Sequence, residues 1–492
     1  MRRAVFILVL TAVTPALARA QRASYEELQT FSAVMNLIRL NHVDSVSYTP
    51  LVRAAIEGAL GAVDPHSRYV RRDIEAQLIA ARSGEAGSAG VELDGMGSVV
   101  AVIAVGSGSP AEHADMLAGD RILAVQDSPV AGLAAHEVEV LLSGRPGTER
   151  RVTVERGDPL TATRVDLVIR LDRYAWPNIA TPMIIAGDIG YVRLSGFDVR
   201  AASELERALD GLRGRGMKRL VLDLRGNPGG LLSEAVSVAG LFLPKNALVM
   251  RTKGRKVDAN QEYRTRSGGR YQDLPMVVLV DGSSASAAEA LAGALQDHGR
   301  GIVAGHRTFG KALVQMPFPL PAGDVLWLTV ARVHTPDGRM IQRSYEGLAA
   351  AQYAAASDAL RRGGATAAAA GSGGIEPDSY FDARAVPPGW WPDARRQRLD
   401  VQAVERARLT TGPGADGAAW RTPLLDALRT VVVETLGVDP VLEPAQDLAI
   451  GRHLLHTAIE MREGRRAAGE FSAINDPEVL RAASLLDPRP PR

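Results

Sequence analysis

The chain has 492 residues, 46% of them hydrophobic and 23% charged, with a net charge of +1 and no cysteine. That length holds roughly two to four domains with cores of their own. The even charge balance gives no ground for a nucleic-acid or anionic-membrane partner, and the lack of cysteine excludes disulfides, a thiolate nucleophile and a cysteine-bound metal.

The first twenty residues stand apart. Arg2 and Arg3 precede an apolar run from Ala4 to Val13, followed by Pro15 and Ala18-Arg19-Ala20. This is the pattern of a secretory signal peptide, too short to span a bilayer, with cleavage expected after Ala20. The expectation is export to a bacterial periplasm or cell envelope with no transmembrane segment left after cleavage, an uncleaved anchor being the alternative. Ser24 to Glu27 then reads as a capping box, with Leu28, Phe31, Met35 and Ile38 at helical spacing. Thr49-Pro50 opens a second helix carrying Leu51, Ile56 and Leu60, and Asp64-Pro65-His66-Ser67 follows its end as a turn in which His66 reads as structural.

From Gly84 short apolar strands alternate with Gly/Pro turns: Val99–Val105, Arg121–Val125, Arg151–Val154 and Val165–Leu171, with short helices at Pro110–Met116 and Ala134–Leu142. Gly108-Ser109-Pro110-Ala111-Glu112, the run Ala118 to Val125, and Gly87-Ser88-Ala89-Gly90-Val91-Glu92-Leu93 resemble a PDZ domain. The resemblance implies capture of a peptide as an added strand, its terminal carboxylate held by the loop Ala89, Gly90, Val91 and Glu92. Asp115 stands where such modules usually have glycine, and Asp tolerates the left-handed conformation that the turn needs.

From about 173 strands alternate with helices. Ile189–Leu194 and Arg219–Leu224 are strands, Ala201–Arg213 a helix, and Arg225-Gly226-Asn227-Pro228-Gly229-Gly230 a turn into the helix Leu231–Phe242. Met276–Val280 and Val325–Val333 are further strands. This alternation predicts a mainly parallel sheet covered on both faces. An Ala/Gly-rich insertion occupies about 346–374. Leu424, Leu425, Leu428, Val431 and Val432 mark one C-terminal helix, Leu448, Leu454, Leu455 and Ile459 a second, and Pro477–Leu486 a third. Arg395, Arg396 and Arg398 read as a solvated face. These helices form a helical C-terminal appendage, a candidate oligomer or adaptor contact.

The stretch Leu279 to Gln315 carries the chemistry. A buried strand ends at Asp281, and Gly282-Ser283-Ser284-Ala285-Ser286 turns into a helix from Ala287. A serine there lies beside free N–H groups at a helix N-terminus, which suits a nucleophile with an oxyanion site. Of Ser283, Ser284 and Ser286, the last is preferred, because the helix starts immediately after it. The lysine of Phe309-Gly310-Lys311 has apolar neighbours and no acid in its loop, so it can serve as base if desolvation keeps it neutral. A Ser–His–Asp triad through His298 or His306 is the rival, and Asp297 and His298 are adjacent, so they point different ways on a helix. A paired Lys311 beside serines that only pack is the structural alternative.

Taken together, Asp64-Pro65-His66-Ser67, the PDZ-like segment, Asp223-Leu224-Arg225-Gly226-Asn227-Pro228-Gly229-Gly230, the Ser-Ala-Ser-Ala-Ala-Glu run and Phe-Gly-Lys resemble the C-terminal processing peptidases, or tail-specific proteases, over roughly residues 25 to 345. The resemblance implies a nucleophile at Ser286, a general base at Lys311, a lysine-orienting Gln315, and an oxyanion hole from Ala287 and the Gly229-Gly230 turn. It also implies an architectural role for Asp297. No metal or organic cofactor enters such a mechanism. Ala312 and Ala288 replace a usual glycine and serine, Ser233 stands where an acid is common, and the insertion separates Thr335–Arg339 from Gly374–Asp378.

The expected molecule is a multidomain α/β protein: signal peptide 1–20, N-terminal helices 21–83, a PDZ β-domain 84–172, a mainly parallel ClpP/crotonase-like peptidase core 173–385, and C-terminal helices 386–492. Its expected function is serine endopeptidase action on protein or peptide substrates with accessible, apolar C-termini, with the PDZ domain also gating the site. A periplasmic peptide-binding scaffold of the same fold is the alternative; an acyl-transfer or lyase enzyme on a similar core is a third, since fold does not fix function.

Overall fold

The computed structural model describes residues 25–487 apart from 65, 83–84, 97–98, 107, 118, 157–162, 175–177, 180–181, 346–372, 382–387, 389, 392–393, 395–396, 398, 408, 410–416 and 464. The expected signal peptide, nearly all of the Ala/Gly-rich insertion, and Arg395, Arg396 and Arg398 lie outside the described residues. The chain divides into two units, Met1–Val63 and Asp64–Arg492. In the first, residues 25–41 and Tyr48–Gly61 are helical. Met35 is buried, whereas Leu28 and Phe31, read as the same apolar face, are exposed.

In the second unit the segment with PDZ resemblance forms an antiparallel sheet in the order Val91–Met96, Val99–Val105, Arg121–Val125, Glu149–Arg156, Thr163–Arg170. Val152 and Val154 on one strand and Val165, Leu167 and Ile169 on the next alternate inward, as a half-buried sheet requires. The helix Ala135–Leu141 adds Val138 to that core. Asp115 takes the left-handed conformation, at φ 62°.

The central sheet of the same unit runs Met183–Ile185, Ile189–Arg193, Arg219–Asp223, Met276–Val280, Ile302–Gly305, Ser379–Tyr380. Its first pair is antiparallel and the others are parallel. Period-2 alternation divides its side chains. Leu220, Leu222 and Val278 pack under the helices Ala201–Gly214, Leu232–Phe242 and Ala287–Asp297. Val221, Val277 and Leu279 face the opposite way, and there Val479, Ala482 and Ala483 of the last helix, Pro477–Ser484, cover them. That helix, expected as part of an appendage, instead closes the second face of the sheet.

A third sheet escaped the sequence reading in part. It joins Arg68–Val70, Val325–His334, Leu248–Gly254 and Gln261–Arg264, with Leu313–Pro319 paired to Val325–His334. Arg68–Val70 and the helix Arg72–Arg82, expected with the N-terminal helices, belong to this second unit. The helices Leu399–Arg406, Ala418–Leu436, Pro444–Glu463 and Arg465–Ile474 share a separate core around Trp420, Leu424, Leu428 and Leu454.

Candidate active site

The strand Met276–Val280 is buried at every residue and ends in the turn from Asp281. Asp281 organises that turn: its Oδ1 accepts from Ser283 N at 3.0 Å and from Gly226 N at 3.0 Å. Ser284 is fully buried, and its hydroxyl donates to Leu224 O at 2.8 Å and accepts from Asp281 N at 2.9 Å. Its oxygen is therefore occupied in tying the turn to the neighbouring strand. Ser286 differs from both. It is half-buried, it caps the helix Ala287–Asp297, and its backbone sits at φ 57°, ψ −116°, a region that non-glycine residues rarely adopt. Such strain persists where surrounding bonds over-determine it, commonly at functional sites.

Here the surrounding bonds converge on Glu289, one turn into the helix and fully buried. Its Oε2 accepts from Ser286 N at 2.8 Å and from Lys311 N at 2.9 Å. Its Oε1 accepts from Gly310 N at 2.7 Å and from Thr308 Oγ1 at 2.5 Å. One carboxyl group thus fixes the backbone of the serine and of the lysine together. Burial pushes this carboxyl up to about 7, against the opposing pull of the hydrogen bonds from Thr308, Gly310, Lys311 and Ser286.

Lys311 is half-buried and follows Gly310, whose φ of +86° lets the loop pass Arg343. Among the described residues, Lys311 Nζ and Ser286 Oγ have no hydrogen bond, with each other or elsewhere, and Lys311 has no ion pair. Gln315 Nε2 donates to the carbonyl oxygen of His66, so its side chain ties the lysine strand to the Asp64–Ser67 turn. That turn is itself held by Asp64, which accepts from His66 N at 2.8 Å and Ser67 N at 2.7 Å.

The second wall is the turn after Arg219–Asp223. Asn227, fully buried, sets it: its carbonyl accepts from Ala285 N at 2.9 Å, its Nδ2 donates to Leu194 O at 2.8 Å, and its Oδ1 accepts from Gly229 N at 2.8 Å. Gly229 lies so close to the serine that an added Cβ would stand 2.8 Å from Ser286 Cβ and 2.9 Å from Ala287 N, at φ +103°. The N–H of Gly229 is occupied by Asn227. Those of Gly230 and Ala287 have no acceptor among the described residues.

The rival histidines are engaged elsewhere. His298 Nε2 lies 2.7 Å from Leu248 O, and His306 Nε2 3.1 Å from Glu478 Oε1 on the last helix. Asp297 binds Asp337 N at 2.9 Å and Arg339 Nη2, holding the Thr335–Arg339 turn to the end of the serine helix. Across the insertion, Gln296 Nε2 of the same helix donates to Glu376 O at 2.8 Å, so both separated segments meet at its end, and Ile375 N donates to Thr308 Oγ1 at 2.6 Å. In the loop read as the carboxylate site, Ala89 N donates to Leu142 O at 2.9 Å and Gly90 N to Ser88 Oγ at 2.9 Å. A cavity of about 290 Å³ joins that loop to the serine's second wall; Ala89, Gly90, Glu92, Phe197, Gly229 and Gly230 line it. Ile103, from the same sheet, packs on Ala285 and Phe309. Sequence reasoning missed Glu289, Asn227 and Glu478; the first two lie inside the quoted motifs, and nothing in the chain's spacing marks the third.

A PDZ sheet beside an α/β core with a strained helix-capping serine defines a serine peptidase with a peptide-binding module. Residues 188–349 match the model of peptidase family S41, and residues 87–167 that of the PDZ domain. A carboxy-terminal-processing protease of Bartonella bacilliformis is 33% identical over 329 residues, 65% of this chain and 74% of the relative. The carboxy-terminal processing protease CtpA of Bacillus subtilis is 30% identical over 307 residues, 62% of this chain and 65% of the relative. The solved photosystem II D1 C-terminal processing protease superposes with a TM-score of 0.56 at 26% identity, covering 74% of this chain and 90% of that one. The chain belongs to the carboxy-terminal-processing proteases of peptidase family S41.

Proposed function

We propose that this protein is an exported endopeptidase that takes hold of protein C-terminal tails through its PDZ domain and cleaves them by a Ser286–Lys311 acyl-enzyme mechanism. The observation that carries the reading is the joint anchoring of Ser286 and Lys311 by Glu289, which sets on one scaffold a strained serine and a lysine that has no ion-pair partner among the described residues. Ser286 Oγ attacks the scissile carbonyl carbon while Lys311, as the free amine, takes the hydroxyl proton. The N–H groups of Ala287 and Gly230 receive the oxyanion. Collapse passes the proton from Lys311 to the leaving amine. Water, deprotonated by the same lysine, then hydrolyses the ester at Ser286. Gln315 serves this step through the His66 turn, and Asp297 through architecture.

The export reading rests on residues 1–20, and no helix among the described residues is long and apolar enough to cross a membrane. The alternation of parallel strands and helices over about 173–385 supports a ClpP/crotonase-like core. The cavity between Ala89-Gly90 and Gly229-Gly230 supports a tail lying against both modules. The contact of Ile103 with Ala285 and Phe309 supports gating: a bound tail shifts the PDZ sheet on the serine turn. Wild type, Ser286→Ala and Lys311→Ala are compared on a denatured protein with an apolar C-terminus and on the same protein ending in aspartate. The reading predicts cleavage by wild type alone, faster for the apolar end; equal cleavage by all three enzymes sinks the mechanism, and indifference to the end sinks tail recognition. For gating, limited trypsin digestion with and without an apolar-ended peptide is expected to differ, and identical patterns count against it.

A further inference from the structure

The alternation that sends Leu220 and Leu222 under the helices sends Val221 and Asp223 to the opposite face, where the last helix lies. Asp223 is fully buried there and grips Arg225: Nε at 2.9 Å and Nη2 at 2.7 Å reach its two carboxylate oxygens, and Tyr191 Oη adds a bond at 2.7 Å. Burial works to raise the Asp223 carboxyl, and the Arg225 and Arg193 guanidinium groups with the Tyr191 hydroxyl together outweigh it, so the group stays below its ordinary value.

Arg225 has a further arm, and the C-terminal segment takes it. Nη1 lies 2.9 Å from Asp476 Oδ2 and 2.6 Å from Glu478 Oε2, although Glu478 comes 253 positions after Arg225 in the chain. Asp476 meanwhile caps the last helix, accepting from Glu478 N at 2.8 Å through Oδ1. The second oxygen of Glu478 lies 3.1 Å from His306 Nε2. His306 follows the strand Ile302–Gly305 and leads into Thr308, Gly310 and Lys311. Arg225 leads directly into Gly226, Asn227, Gly229 and Gly230. Glu478 therefore stands at the base of both limbs of the site, one carrying the oxyanion turn and the other the lysine.

Docking the helix does not need these charges. Val479, Ala482 and Ala483 already seat it on Val221, Val277 and Leu279, and an ion pair removed from water contributes little net stability because desolvation offsets the attraction. What such a pair does supply is direction, since a guanidinium bonded on several sides has one allowed position. We propose that Asp476 and Glu478 are positioning residues of the peptidase: by fixing Arg225 and His306 they hold the Gly229–Gly230 turn and the lysine loop in register across Ser286. The C-terminal helix is then a working part of the site. This inference rests on the reading of Ser286 and the Gly229–Gly230 turn as the place of reaction.

The test uses the full chain with Asp476→Asn, Glu478→Gln and the two combined, measured on a peptide with an apolar C-terminus. Both substitutions keep side-chain shape and leave Asp223 on Arg225. For the double variant the proposal predicts kcat lowered at least tenfold, KM within twofold of wild type, and Tm lowered by a few degrees only. Glu434→Gln, which removes an exposed ion pair with Arg406 in the C-terminal helices, is expected to leave kcat unchanged. A double variant with kcat within twofold of wild type overturns the proposal, as does a loss that merely follows the folded fraction. If the double variant does not fold, each single variant is read by the same criterion at threefold. Ser286→Ala runs alongside: if it is inactive while Asp476→Asn/Glu478→Gln cleaves normally, only this inference falls, whereas an active Ser286→Ala removes the reading beneath it as well.

Discussion

Glu289 is the residue on which the two chemical groups of the site depend, and it titrates in a useful range. Its carboxyl rises from the ordinary 4.5 to about 7 because burial disfavours the charged form. A native-state value above the unfolded one means that the folded protein holds the proton more tightly. The stability this supplies is complete below about pH 4.5, is lost as pH rises through about 7, and changes no further above that. The size of the effect is about 3 kcal/mol. Glu289→Gln cannot titrate, so the stability difference between wild type and this variant should shrink by that order from pH 4.5 to pH 8 in denaturant unfolding. A difference that stays constant with pH contradicts the account. The variant should also lose at least tenfold in kcat, because an amide NH2 must then face backbone N–H groups that now meet an acceptor. The run Ser-Ala-Ser-Ala-Ala-Glu contains this residue, yet its partners at Gly310 and Lys311 lie a strand and a loop away, and no local pattern announces them.

At the scale of elements, the serine turn and the Gly229–Gly230 turn work as one because the chain allows no atom between them. Gly229→Ala places a methyl group 2.8 Å from Ala285 O and 2.9 Å from Ala287 N at a backbone angle of +103°. We expect kcat to fall a hundredfold or more, measured by steady-state kinetics on an apolar-ended peptide; unchanged kcat would show that the turn does not border the reaction. Much of this was legible. The buried run Met276–Val280 and the helix from Ala287 come directly from composition and spacing, and the shared strand ends follow from the βα alternation. The strands Leu248–Gly254, Gln261–Arg264 and Leu313–Pro319 were not. Leu248–Gly254 carries arginine, lysine and a terminal glycine, Gln261–Arg264 is a short polar edge, and Leu313–Pro319 contains prolines, which argue against a strand except at an edge or bulge.

Over the whole molecule, three parts meet at the serine. The PDZ sheet contributes Ile103 against Ala285 and Phe309, the central sheet carries the serine turn and the Gly229–Gly230 turn on adjacent strand ends, and the last helix reaches Arg225 and His306 from the other face. The sequence order of these parts could be read, but the return of residues 476–484 to the sheet could not, since an amphipathic helix at a chain end has many faces it could cover. Covalent chemistry at Ser286 with Lys311 as base, proposed above, is open to direct measurement. The most direct measurement is rapid-quench intact-protein mass spectrometry during turnover of an apolar-ended peptide, followed by mapping of the modified residue. An acyl adduct is expected on Ser286 in wild type, absent in Ser286→Ala and formed at least a thousandfold more slowly in Lys311→Ala. An adduct on another residue, or cleavage by Ser286→Ala at the wild-type rate, would contradict this chemistry.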